Sequence, residues 1–184
     1  MRQLLRQEEG REFWVSDRFE GRMLRPIAEN LLDKAEKNWD DYDEVYHCCQ
    51  LVEKAARDKS LSMEFYTLEQ AGRVDGIGLM TRGAVDRPLF FPPHLPPQED
   101  QEQVLVFNYF HISPRARGVG ERWLREIILP RCREQGFQAV YVKSSHPRVF
   151  SLYGRLGCTV GDYAARSDNG LHTRPGRLFR LPLV

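Results

Sequence analysis

One segment constrains the fold of this chain more than any other. An apolar run at residues 104–112 enters the turn Ser113-Pro114-Arg115-Ala116-Arg117-Gly118-Val119-Gly120 and leaves it as a helix-like stretch over 121–129. A strand that opens through a glycine-containing loop into a helix start is a phosphate cradle. The first backbone N–H groups of the helix lack partners, and the positive end of its dipole favours an anion. Gly118 and Gly120 are expected to bring the backbone close to a ligand and to adopt positive φ. Arg115 and Arg117 would add charge-assisted donors. By itself this R-x-x-G-x-G string also fits a plain strand-to-helix turn, and the segments C-terminal to it decide between the two. Gly136 reads as a helix stop, and 137–143 as a second strand. Next comes His146-Pro147-Arg148-Val149-Phe150-Ser151-Leu152-Tyr153-Gly154-Arg155-Leu156-Gly157-Cys158.

This order of elements resembles the GCN5-related N-acetyltransferase (GNAT) superfamily, which moves an acetyl group from acetyl-CoA to an amine. Its R/Q-x-x-G-x-G/A loop matches 115–120. Its N-x-x-A-x-x-L-Y-x-x-x-G-F helix matches Leu152-Tyr153 with Gly157 four residues after the tyrosine. The match is carried by the chain from Val104 onward, and by element order alone before it. The resemblance implies an α/β fold in one domain over 1–184: a mixed central sheet with helices on both faces and the cofactor in a splay between two central strands. It implies a pyrophosphate on Arg115, Ala116, Arg117, Gly118, Val119 and Gly120. It also implies a pantetheine arm along the backbone of Phe110, His111 and Ile112, with His146 and Tyr153 beside the cofactor. Tyr153, a phenol with an ordinary pKa near 10, is the candidate catalytic acid for the departing thiolate; otherwise its ring packs on the sheet. His146 contacts cofactor or caps the last helix.

Three departures from the family pattern stand out. Cys158 replaces a phenylalanine, His146 replaces an asparagine, and the strand-to-loop link is short. Either Arg115 or Arg117 can therefore take the first loop position, and counting forward to Trp123-Leu124 favours Arg115. No single residue stands out as the base: Glu64, Glu69, Glu102, His111 and a water chain are all candidates.

Charge fits a polyphosphate ligand. From His111 onward there are 13 Lys or Arg against 5 Asp or Glu, while residues 1–110 carry 14 against 21. The basic residues lack the aromatic interleaving or recognition-helix signature of a nucleic-acid surface. No apolar run reaches the roughly 18 residues of a membrane span, and the first residues lack a signal-peptide core, so the expected location is the cytoplasm. Cys48, Cys49, Cys132 and Cys158 form no C-x-x-C pair, which points to reduced thiols rather than a disulfide or metal site.

Upstream, the pattern predicts a strand at 12–15 and a one-sided helix over 19–39 interrupted near Pro26. A second helix is expected from an Asp40-Asp41 cap through Ala56, and a hairpin from Leu61–Glu69 to Val74–Met80. Downstream, Pro130 should kink the loop helix, and 177–183 reads as a final strand. Residues 87–97 hold five of the eleven prolines, and this stretch reads as a structured loop presenting Phe90, Phe91 and Leu95 to the acceptor or to a second copy in a homodimer. The expected function is acetyl transfer from acetyl-CoA to a primary amine of a small molecule or protein, in a ternary complex. The alternative is an acyl-CoA-binding regulatory module without turnover.

Overall fold

The computed structural model describes residues 1–36, 42–83, 90–166 and 173–183. The expected Asp40-Asp41 cap and Arg87–Leu89 lie outside them. An eight-stranded mixed sheet runs in the order β1-β2-β3-β4-β5-β6-β8-β7. Its left half is two hairpins, β1 (Arg2–Glu8) with β2 (Arg11–Ser16) and β3 (Leu61–Gln70) with β4 (Arg73–Gly83). Both turn in two residues, Glu9-Gly10 and Ala71-Gly72, all four at positive φ. That geometry matches the right-handed twist of paired strands. β4 pairs antiparallel with β5 (Val104–Ile112), and β5 pairs parallel with β6 (Ala139–Ser144). β8 (Thr173–Pro182) returns between β6 and the edge strand β7 (Cys158–Arg166).

Helices and apolar layers cover both faces. α1 (Leu24–Glu36) and α2 (Tyr42–Arg57) lie over one face, where Met23, Leu51, Phe65, Ile77, Val106 and Tyr141 form one core. α1 starts later than the apolar pattern predicts, after a 3-10 turn at Gly21–Met23, and Pro26 sits in its first turn, where a missing N–H costs nothing. On the other face lie α3 and α4 (Pro147–Leu156), with a core of Phe13, Leu68, Phe107, Trp123, Ile128, Val142 and Phe179.

α3 has three consecutive pieces: Gly120–Trp123, a π-helical Leu124–Ile128, and Leu129–Glu134. The kink expected from Pro130 takes this form. Proline offers no N–H to the carbonyl four residues back and crowds it. That carbonyl, of Glu126, instead accepts a bond from the Arg6 guanidinium of β1 at 3.1 Å.

The proline-rich stretch has a different job from the one expected. Phe90 and Phe91 are each 1% exposed, and Phe91 meets the Tyr141 ring edge-on at 5.2 Å. Gln98 N–H donates to the Tyr141 hydroxyl, which donates to Glu99, and Glu99 accepts from Arg180 of β8 at 2.7 Å. Leu95 lies against Gly161 of β7. These residues cover the β6–β8–β7 part of the α1 face, so Phe90 and Phe91 are core rather than a presented surface. Phe91→Ala should lower stability by about 3–5 kcal/mol, measured by the denaturation midpoint. A mutant of unchanged stability with altered acceptor affinity would restore the presented-surface reading.

Candidate functional site

β5 and β6 pair over four rungs only, from Val104 opposite Ala139 to Phe107 opposite Val142. Beyond them the strands part around a cleft of about 200 Å³. A bulge sets what faces it. Leu79 lies opposite Tyr109 and Met80 opposite Phe107, so Asn108 is one residue surplus. Its side-chain amide donates to Thr81 Oγ1 at 2.6 Å and to the Val106 carbonyl at 3.1 Å. A surplus residue reverses the in-out alternation of a strand. Val104, Val106 and Tyr109 all belong to the core under α1, whereas Leu105, Phe107, Phe110 and Ile112 pack under α3. His111 therefore faces α1, a point alternation in the sequence leaves open. On β6, Tyr141 faces α1 and Val142 faces α3, which places Lys143 on the α1 side as well.

The cleft thus has two walls. Towards α1 stand Tyr109, His111, Lys143 and Asn30, whose amide donates to the Tyr109 hydroxyl at 2.9 Å. Towards α3 and α4 stand Phe107, Phe110, Val142, Val149, Leu152 and Tyr153. The Tyr153 ring packs on Phe179 with centroids 5.5 Å apart, and the residue also lines the cleft. His146 is the N-cap residue of α4 by position, yet its side chain makes no capping bond and it lines the cleft. Gly157 ends α4 directly against the Arg180 carbonyl of β8, where a Cβ would overlap that oxygen.

The glycine loop begins at the end of β5. A 3-10 turn, Pro114–Ala116, carries Ala116, buried like Val119 three residues later. Ser113 N–H donates to the Asp75 carbonyl at 2.8 Å, tying the loop to β4. The first helical bond of α3 runs from Trp123 N–H to the Val119 carbonyl, and no side chain caps the helix, so the amides of Gly120, Glu121 and Arg122 precede its ladder. Gly118 has φ +91° with open space where a Cβ would stand. Gly120 differs from expectation: it has no positive φ, and a Cβ there would press on Ile112 and Phe110. Its smallness serves packing of α3 on β5.

The two arginines also divide. Arg115 bonds Asp75 at 3.3 Å and Glu29 of α1 at 3.0 Å, so its guanidinium is committed to the scaffold. Burial raises the Asp75 pKa, but bonds from Arg73 and Arg115 outweigh it and the net direction is downward. Arg117 is exposed and, among the described residues, no acid pairs with it. Arg117 rather than Arg115 is the free cation of the loop. In the first turn of α3, Glu121 is held down to about 2 by Arg155 and Arg125, and the Arg155 bridge joins α3 to α4.

Of the four side chains considered as base, only His111 reaches the cleft. Glu64 accepts from Tyr66, Arg131 and Gln135 beneath the end of α3. Glu69 is buried between Arg2 and Arg22, each at 2.7 Å. Glu102 is exposed in a 3-10 turn before β5, at the end of the strand away from the cleft.

Lys143 escapes the sequence reading, although a lysine closing the apolar run Ala139-Val140-Tyr141-Val142 is a legible sign. Burial pushes its ammonium down to about 8 from 10.5. The unfolded chain therefore holds this proton more tightly than the fold, and Lys143 lowers stability at every pH below 8. That loss is recovered as pH rises from 8 to 10.5. Lys143→Met should stabilise the protein by about 1–3 kcal/mol at pH 7, with screening at this half-buried site setting the lower end. Melting curves at stepped pH should show the gain shrinking above pH 8.

No family model and no curated protein sequence matches this chain. Solved structures do. A probable acetyltransferase of the GNAT family from Chromobacterium violaceum ATCC 12472 superposes with a TM-score of 0.60 at 12% identity, over 98% of this chain and 91% of its own. A GNAT superfamily phosphinothricin acetyltransferase from Sinorhizobium meliloti, crystallised with AcCoA, superposes with a TM-score of 0.55 at 16% identity, over 91% and 86%. The mixed sheet splayed between β5 and β6, with helices on both faces, is the GNAT fold, and this chain has it.

Proposed function

We propose that residues 1–184 form a single acyl-CoA-dependent N-acetyltransferase domain that moves the acetyl group of acetyl-CoA to a primary amine by direct attack. The observation that carries this reading is the cleft between β5 and β6, which has the uncapped start of α3 near one end and Tyr153 in its wall. The residues suit the cosubstrate. Gly118 leaves open space beside unladdered amides, Arg117 supplies a cation with no acid paired to it among the described residues, and among them the β6-facing edge of β5 beyond Phe107 has no strand partner.

Acetyl-CoA would supply the activated acyl group. The amides from Gly118 to Arg122 would hold its pyrophosphate, and the open edge of β5 around Phe110, His111 and Ile112 its pantetheine arm. Acceptor amines would enter from the α1 wall, where His111 can take a proton. The Tyr153 hydroxyl would protonate the departing thiolate from the opposite wall.

Calorimetric titration with acetyl-CoA, followed by thiol release across a panel of amines, tests the proposal. The panel should include amino acids of the phosphinothricin type, diamines and lysine peptides. Turnover with at least one class is expected. Binding without thiol release from any amine would replace this reading with that of a binding module.

A further inference from the structure

We propose that Lys143 is itself an acetyl acceptor, so that the protein acetylates its own Lys143 Nζ inside the cleft. This rests on the reading of the cleft as an acetyl-CoA site. Lys143 is the first residue of β6 past its last rung to β5; its own strand partner is Leu178 of β8. The backbone is thus pinned to β8 on one side while the residue lines the opening on the other. It stands on the α1 wall, the wall assigned above to an incoming amine, and Tyr153 stands on the other wall of the same cleft.

Chemistry separates Lys143 from its neighbours. Burial holds its ammonium near 8, which leaves roughly a tenth of the side chain neutral and nucleophilic at pH 7. Arg148 in the same cleft carries a delocalised guanidinium, which has no free amine lone pair to attack an acyl carbon. His111 and His146 can attack an acyl group, but an acylimidazole hydrolyses, whereas a lysine amide persists. Tethering to the sheet replaces a bimolecular encounter with a local one.

In the step, the Nζ lone pair forms a C–N bond to the thioester carbonyl carbon and the C–S bond breaks. The thiolate takes the Tyr153 proton, and the proton lost from Nζ returns to the phenolate. Acetyl-CoA and lysine become CoA and Nε-acetyl-lysine, with no other reactant. The product is neutral and longer, and it occupies the α1 wall of a cleft of only about 200 Å³.

The test incubates the intact protein with acetyl-CoA and follows acetylated peptides by mass spectrometry, with calorimetry of acetyl-CoA binding in parallel. Lys143 should be acetylated roughly tenfold or more faster than the exposed Lys59. In Gly118→Asp that labelling should disappear, while acetic anhydride still modifies Lys143. Heat of binding with Lys143 unlabelled would overturn this proposal and leave the cofactor site standing. Neither heat nor label would overturn both. Equal labelling in Gly118→Asp would show reaction with free donor, and that too would overturn it.

Discussion

Gly118→Asp is expected to weaken acetyl-CoA binding by a thousandfold or more, about 4 kcal/mol, while the protein stays folded. Gly118 sits at φ +91°, a region that a side chain enters at a cost of about 1–2 kcal/mol. Apart from its chain neighbours, no heavy atom of the described residues lies within 4 Å of its Cβ position, so a Cβ is accommodated without collision. The new side chain would instead fill the space before the amides of Gly120, Glu121 and Arg122 and place a carboxylate where a pyrophosphate must come. Like charges at that distance exclude each other, and the aspartate would also satisfy the amides itself, as an N-terminal cap does. Gly118→Ala is the control: it carries the φ strain without the charge and should bind far better than the aspartate. Calorimetric affinity of Gly118→Asp equal to wild type, in a protein with an intact melting transition, would remove the pyrophosphate from this loop.

Tyr153→Phe should lower kcat by about 10²- to 10⁴-fold, the usual contribution of a general acid, with little change in acetyl-CoA affinity. The ring is held by Phe179 and is 6% exposed, and phenylalanine reproduces that packing. Only the hydroxyl is lost. The split between kcat and affinity is therefore the diagnostic measurement, made with whichever amine supports turnover. Unchanged steady-state rates would leave Tyr153 as a packing residue.

Legibility in the sequence followed burial. Strands in the middle of the sheet announce themselves because one or both faces are covered: β3 and β5 stand within a residue of where their apolar runs predict. Both edge strands escape the pattern. β1 reads Arg-Gln-Leu-Leu-Arg-Gln-Glu, and β7 is largely exposed along its length. Each is only partly covered on one face, by few apolar side chains such as Leu5 and Val160, so its apolar pattern is faint. The strand–loop–helix order was legible, but the division of labour within the loop was not. The partners that commit Arg115 are Asp75 and Glu29, 40 and 86 residues away. Phe90 and Phe91 misled for the opposite reason. Prolines mark the stretch as loop, and loops usually run over the surface; here its aromatic residues turn inward and cover the sheet.

The surplus residue at Asn108 has a consequence for how this protein can change. A strand of strict parity would send every second side chain to one chamber along its whole length. With Asn108 inserted, β5 is two half-strands of opposite phase, joined at a point held by Thr81. Removing Asn108 alone would set Tyr109 directly after Phe107 in a plain alternating ladder, so Tyr109 and His111 would still face α1 and Phe110 and Ile112 would stay under α3. Point substitutions beyond the bulge can retune one chamber at a time. The surplus residue is slack in the strand: Asn108 can be lost without exchanging the two chambers, whereas straightening the bulge with the residue kept would exchange them.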